Sequence, residues 1–111
     1  MNESQASTAF SYTVERDAAT GTIVASGEID LASSPEFRTA IHDLLDSGVR
    51  AIVVDLTAVS FIDSSGLGVL VGSLKRVNEL GDGSLALRGL DGPALRVFEI
   101  TGLDQVFDLR R

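Results

Sequence analysis

Ala51-Ile-Val-Val-Asp55-Leu-Thr-Ala-Val-Ser-Phe61-Ile-Asp63-Ser64-Ser65-Gly66-Leu67-Gly68-Val-Leu-Val-Gly72 sets the reading of this chain. The run Ala51 to Val54 is apolar throughout, the pattern of a strand buried on both faces. A short loop follows, then Asp-Ser-Ser-Gly, then apolar residues at helical spacing: Leu67, Leu70, Val71, Leu74 and Val77. A strand that feeds a helix through hydroxyls and glycines places a serine at the helix N-terminus. Unpaired N–H groups and the positive end of the helix dipole favour an anion there. Such a serine serves as a cap, a nucleophile or a phosphate carrier, and the rest of the chain has to decide.

Length and composition narrow the choice. At 111 residues the chain is one small domain with a single core. It has no cysteine, which removes disulfides and thiolate chemistry and fits a reducing cytosol. With five Phe and one Tyr, the core has to be mainly aliphatic. Sixteen acidic against nine basic residues give a net charge of −7. That balance opposes binding to nucleic acid phosphates or to anionic membranes. No segment approaches the ~18 apolar residues of a membrane span, and Met1 to Thr8 lacks the basic and apolar regions of a signal peptide. Residues 1–8 are expected to be a flexible tail, residues 9–111 the domain, and the location cytoplasmic.

Working outward, Phe10, Tyr12 and Val14 alternate with polar residues as in a half-buried strand. Arg16 to Gly21 reads as a turn, and Thr22 to Glu28 as a second strand closing a hairpin. Ser34-Pro35 starts a helix, with Ser34 as N-cap and Pro35 at the first helical position. Its apolar face is Phe37, Ala40, Ile41, Leu44 and Leu45, and Gly48 sits where a terminating glycine belongs. A central strand is expected over about Val49 to Leu56 and a second helix over about Ser64 to Leu80, ended by Gly81. Ser84 to Arg88 reads as a strand and Asp91-Gly92-Pro93 as the opening of a third helix, through about Ile100. Val106 to Leu109 reads as a short last strand. The order β-β-α-β-α-β-α-β implies an α/β domain with a mixed, mostly parallel sheet and packed helices. Asp30 and the Asp63-Ser64 turn both follow strands, so they are expected on one rim of that sheet.

Each candidate chemistry has a plain structural counterpart. Asp63 or Ser64 caps the helix in any case, worth about 1 kcal/mol. Capping does not explain Gly66, Gly68 and Gly72, each costing about 1 kcal/mol against Ala in a helix. The expectation is that Gly72 packs closely on the sheet, while Gly66 and Gly68 let a partner approach. Gly66-x-Gly68-x-x-x-Gly72 is not a dinucleotide fingerprint, since its last spacing is one residue too long. Ile62-Asp-Ser-Ser-Gly lacks the first glycine of a nucleophile elbow. The single histidine, His42, falls mid-helix and reads as a boundary residue. One His and no Cys leave no metal-ligand set, and no cofactor is indicated. Asp30 and Asp63 read as a turn and a cap, or as a polar frame around the Ser64 hydroxyl. The residues favour a binding module over an enzyme or a small nucleotide-binding domain.

Four ordered blocks resemble the STAS domain, and within it the bacterial anti-sigma factor antagonists. They are Gly27-Glu-Ile-Asp30, Val53-Val-Asp55-Leu, Phe61-Ile-Asp63-Ser64-Ser65-Gly66-Leu67-Gly68-Val-Leu, and Val97-Phe-Glu-Ile-Thr-Gly102-Leu-Asp-Gln-Val-Phe107. The resemblance implies phosphorylation of Ser64 by a partner that is both a serine kinase and an anti-sigma factor. The unphosphorylated antagonist binds that partner and frees sigma; phosphorylation ends the binding and a serine phosphatase restores it. Together with the reading of the residues, this makes Asp30, Asp63, Ser65, Gly66, Leu67 and Gly68 the expected partner-binding set, on a chain expected to be a monomer or weak dimer. A STAS module in another partner-switching or stress assembly is the alternative within the family. Family members commonly carry a final helix after the last strand, whereas this sequence stops at Leu109-Arg-Arg.

Overall fold

A computed structural model describes residues 9–111, so the expected tail over residues 1–8 lies outside the described residues. The elements are β1 (Ser11–Asp17), β2 (Thr20–Ile29), α1 (Ser34–Asp46), β3 (Ala51–Ile62), α2 (Ser64–Leu80), β4 (Ser84–Arg88), α3 (Gly92–Thr101) and β5 (Asp108–Arg110), with a 3₁₀ turn at Leu103–Gln105. The strands form one sheet in the order β1-β2-β3-β4-β5. β1 pairs antiparallel with β2, and every other pair is parallel. The expected α/β architecture and element order are therefore present.

Sequential strand order has a consequence for the layers. Right-handed crossovers that always step the same way lay their helices on one face of the sheet. Burial agrees: Ile23, Ala25 and Ile29 of β2, Ile52, Val54 and Leu56 of β3, and Leu85 and Leu87 of β4 share one core with Phe37, Ile41, Leu70, Val77 and Phe98 of the helices. The alternate residues Val24, Ala51 and Val53 are only half-buried. The apolar run at Ala51 to Val54 is thus covered on one face, not two. On the other face Asp55 lies directly opposite Arg88 and accepts from its guanidinium at 2.9 and 3.1 Å. Burial raises the Asp55 pKa, but the Thr57 hydroxyl and N–H together with Arg88 outweigh it and hold the carboxyl below its ordinary value.

Several boundaries differ from the sequence reading for identifiable reasons. The hairpin turn shrinks to Ala18-Ala19, because pairing continues to Asp17 opposite Thr20. Val14 is 44% exposed because β1 is an edge strand that α1 covers incompletely. The N-cap of α1 is Ser33, so Ser34 is already helical and Pro35 stands one position deeper. The last strand starts two residues late, since Val106 and Phe107 donate back to Leu103 and close the 3₁₀ turn first.

The largest difference is β3, which continues past Leu56 to Ile62. Two register shifts against β2, between Val24 and Ser26 and between Gly27 and Glu28, each insert one extra residue on β3. Gly27, at φ +86°, supplies backbone geometry that side chains resist. No apolar alternation marks such a segment, so periodicity misses it. After the second bulge Phe61 faces solvent while Ile62 returns to the core.

The glycines divide differently from expectation. A Cβ at Gly66 would stand 2.7 Å from both Ile29 Cγ2 and Ile62 Cγ1, whereas Gly68 and Gly72 face open space. Gly66 is the packing glycine, and Gly72 does not touch the sheet. Gly66→Ala is expected to destabilise the domain by about 1–3 kcal/mol through overpacking. Gly72→Ala should stabilise it by up to about 1 kcal/mol through helix propensity. Denaturant melts of the two variants check the pair, and a reversed order would return Gly72 to the sheet interface.

Candidate functional site

The rim where β2 and β3 end is built by their parallel pairing. Ile29 pairs with Ile62, so Asp30 and Asp63 leave neighbouring strands at the same level. The Asp63 N–H donates to the Ile29 carbonyl at 3.1 Å, fastening the two strand ends. Asp63 then takes an extended conformation as N-cap of α2, its Oδ1 accepting from the N–H groups of Ser65 at 2.8 Å and Gly66 at 3.2 Å. Ser64 is the first helical residue and is exposed.

Asp30 orders the turn before α1 without capping the helix itself. Its Oδ1 accepts from the Ala32 and Ser33 N–H groups, both at 3.0 Å, and from the Ser33 hydroxyl at 3.1 Å. The Ser33 N–H and hydroxyl bonds are the main causes that hold the Asp30 carboxyl below its ordinary pKa, so it is a fixed negative charge. Both carboxylates thus order their own turns. Neither is hydrogen-bonded to the Ser64 hydroxyl, so the expected polar frame around that hydroxyl is not built from hydrogen bonds.

The expected contact residues separate by orientation. Asp30, Asp63 and Ser65 are part-exposed and Gly68 is exposed. Gly66 is buried and Leu67 is 8% exposed within the core, so they are not available to a partner's surface. The reason is the docking of Gly66 onto Ile29 and Ile62, which turns this side of the first turn inward. They support the rim from beneath.

Other residues reach the same region without having been singled out. Leu31 is 76% exposed directly after Asp30, and Phe61 is 47% exposed two residues before Asp63. Large apolar residues flanking a polar rim mark a contact surface more than scattered ones do. The signal for Phe61 was available only through the second bulge. Between α1 and α2 runs a groove of about 390 Å³, lined by Ser34, Arg38 and His42 on one wall and by Ser65, Gly68, Val69 and Gly72 on the other. The i, i+4 spacing of Ser34, Arg38 and His42 could have shown that they share a helix face. Only the packing of α1 beside α2 shows what that face opposes.

With this geometry in view, comparison places the chain. Residues 11–111 match the model of the STAS domain family. The chain is 42% identical over 84 residues to an anti-sigma-B factor antagonist of Bacillus subtilis, covering 76% of this chain and 75% of that protein. It is 36% identical over 96 residues to an anti-sigma-B factor antagonist of Listeria monocytogenes, covering 86% and 83% respectively. A crystal structure of an anti-sigma factor antagonist from Mycobacterium paratuberculosis superposes with TM-score 0.77 at 31% identity, covering 92% of this chain and 86% of that one. The chain belongs to the STAS domain family. The relatives named here are regulators, not enzymes.

His42 gives the groove a titration signature. Burial lowers its pKa from 6.5, and Arg38 and Arg76 lower it further against the weaker pull of Asp46 and Asp43. The unfolded chain therefore binds this proton more readily. The associated stability is complete above pH ~6.5 and is lost as pH falls through the folded value. Arg38→Gln is expected to move the His42 pKa back up in an NMR titration. An unchanged or lower value would show that the Arg38 charge is directed away from the groove.

Proposed function

We propose that this chain is an anti-sigma factor antagonist whose partner binding is switched off by phosphorylation of Ser64. The observation that carries the proposal is the placement of Ser64. It is the exposed first residue of α2, between the capping Asp63 and the groove residue Ser65, in a chain whose relatives are named anti-sigma-B factor antagonists. The partner in this reading is an anti-sigma factor that is also a serine kinase, a serine phosphatase reverses the modification, and both act in the cytoplasm. Among the described residues no helix is long and apolar enough to cross a membrane.

The physical argument concerns where negative charge is tolerated. A phosphate adds about −1.5 to −2 charges beside Asp63 and the fixed charge of Asp30. At a helix N-terminus the chain's own fold accommodates an anion. In a closed interface that charge has to be desolvated against like charge, which is costly. One modification therefore spares the fold and opposes the complex. Asp30, Asp63, Ser65 and Gly68 form the polar contact in this reading, with Leu31 and Phe61 as its apolar flanks.

Incubation of the chain with the kinase partner and ATP, followed by mass analysis of the peptide containing Ser64 and Ser65, tests the assignment. One phosphate on Ser64 is expected, and none on Ser64→Ala, which still binds the partner because only an exposed hydroxyl is lost. Phosphate on Ser65 in that variant, at the wild-type level, would show that the acceptor is misassigned. ATP hydrolysis by the chain alone would move the reading to an enzyme.

A further inference from the structure

The groove between α1 and α2 holds a cation with no partner. Arg50, Arg76, Arg88 and Arg110 each lie against an aspartate carboxylate. Among the described residues Arg38, like Lys75, Arg96 and Arg111, has neither an ion pair nor a side-chain hydrogen bond, and of these four it is the one that lines the groove. It lines the groove opposite Gly68 and Gly72, at which no side chain stands in its path.

The topology sets the levels of the two walls. α1 and α2 follow the parallel strands β2 and β3, so they run side by side in the same direction with both N-termini at the rim. Ser34 and Ser65 lie in the first turns, and Arg38 lies one turn below Ser34, about 5.4 Å along the axis. Ser64 stands one turn above Gly68, on the same side of α2 by i, i+4 geometry. An arginine stem spans one turn, and the guanidinium fork matches a phosphate.

The geometry points to the groove as a receiving site for the phosphate of Ser64, with Arg38 reaching across the glycine floor to pair with it and His42 one turn below. This rests on the phosphorylation of Ser64 read above and deepens it, because the chain then holds its own modified side chain. Ser65 on α2 and Ser34 and His42 on α1 line the groove with Arg38, while Asp63 caps α2 at its upper end and Asp30 lies at the β2–α1 turn on the side of Glu28 and Glu36. Deeper along the helices, Arg76 of α2 is already tied to Asp46 of α1, and Asp43 lies on α1. Arg38 is the one cation among these groups without a carboxylate.

The test installs phosphoserine at position 64 of the full chain, so it does not depend on the kinase. Phosphorus NMR then follows the second ionisation of the phosphate in the wild-type background, in Arg38→Gln, and in Arg96→Gln as a control on α3. Both substitutions fall at exposed positions, and melts confirm that the proteins compared are folded. Arg38→Gln should raise the phosphate pKa by on the order of half a unit, and Arg96→Gln should leave it in place. No change with Arg38→Gln overturns the receiving site, and so does an equal shift with Arg96→Gln, which would reflect the general field of the protein. Weaker partner binding of unphosphorylated Arg38→Gln with an unmoved phosphate titration would assign Arg38 to the partner contact instead. Mass analysis of Ser64 after kinase treatment is read separately, so the switch and the receiving site can fail independently.

Discussion

The contact of Gly66 with Ile29 and Ile62 is the constraint from which the site follows. Only a residue without a side chain fits there, since a Cβ would lie 2.7 Å from each isoleucine. The first turn of α2 therefore sits directly on the last residues of β2 and β3. That seating leaves Asp63 to cap the helix through Ser65 and Gly66, and it leaves Ser64 exposed. A larger residue at 66 would lift the helix start and move the cap and the serine together.

The same seating explains a division of labour along one short motif. Gly66 and Leu67 turn inward and Ser64 and Gly68 turn outward, as successive residues of a helix must when one face is buried. Asp30 and Asp63 place two negative charges at the rim while satisfying backbone donors of the following turns. The groove side carries Arg38 and His42 instead. Ser64 thus stands between a rim that carries two carboxylates and a groove whose one charged side chain is Arg38, since burial and the neighbouring arginines hold His42 toward its neutral form.

Much of this was legible in the sequence. The apolar spacing from Leu67 to Val77, the glycine after Leu80 and the Asp-Ser-Ser-Gly block placed α2 at its observed limits. Four ordered motifs pointed to the family that the comparison shows. What escaped was whatever depends on contacts between elements. The bulged end of β3 shows no alternation, so Phe61 passed as loop. Helix propensity treats Gly66 and Gly72 alike, and only the position of the sheet distinguishes the glycine that is crowded from the one that is open. Nothing in the sequence sets Arg38 apart, and only the packing of α2 beside α1 puts it on a groove wall.

The central claim is that charge at position 64 controls association while leaving the fold alone. Calorimetric titration of the anti-sigma factor with the chain carrying serine, and with the chain carrying phosphoserine at 64, addresses it most directly when melts of both forms accompany it. The account predicts at least a tenfold loss of affinity, about 1.4 kcal/mol, at a nearly constant melting temperature. Equal affinity for the two forms, or a loss of affinity matched by a loss of stability, would contradict it.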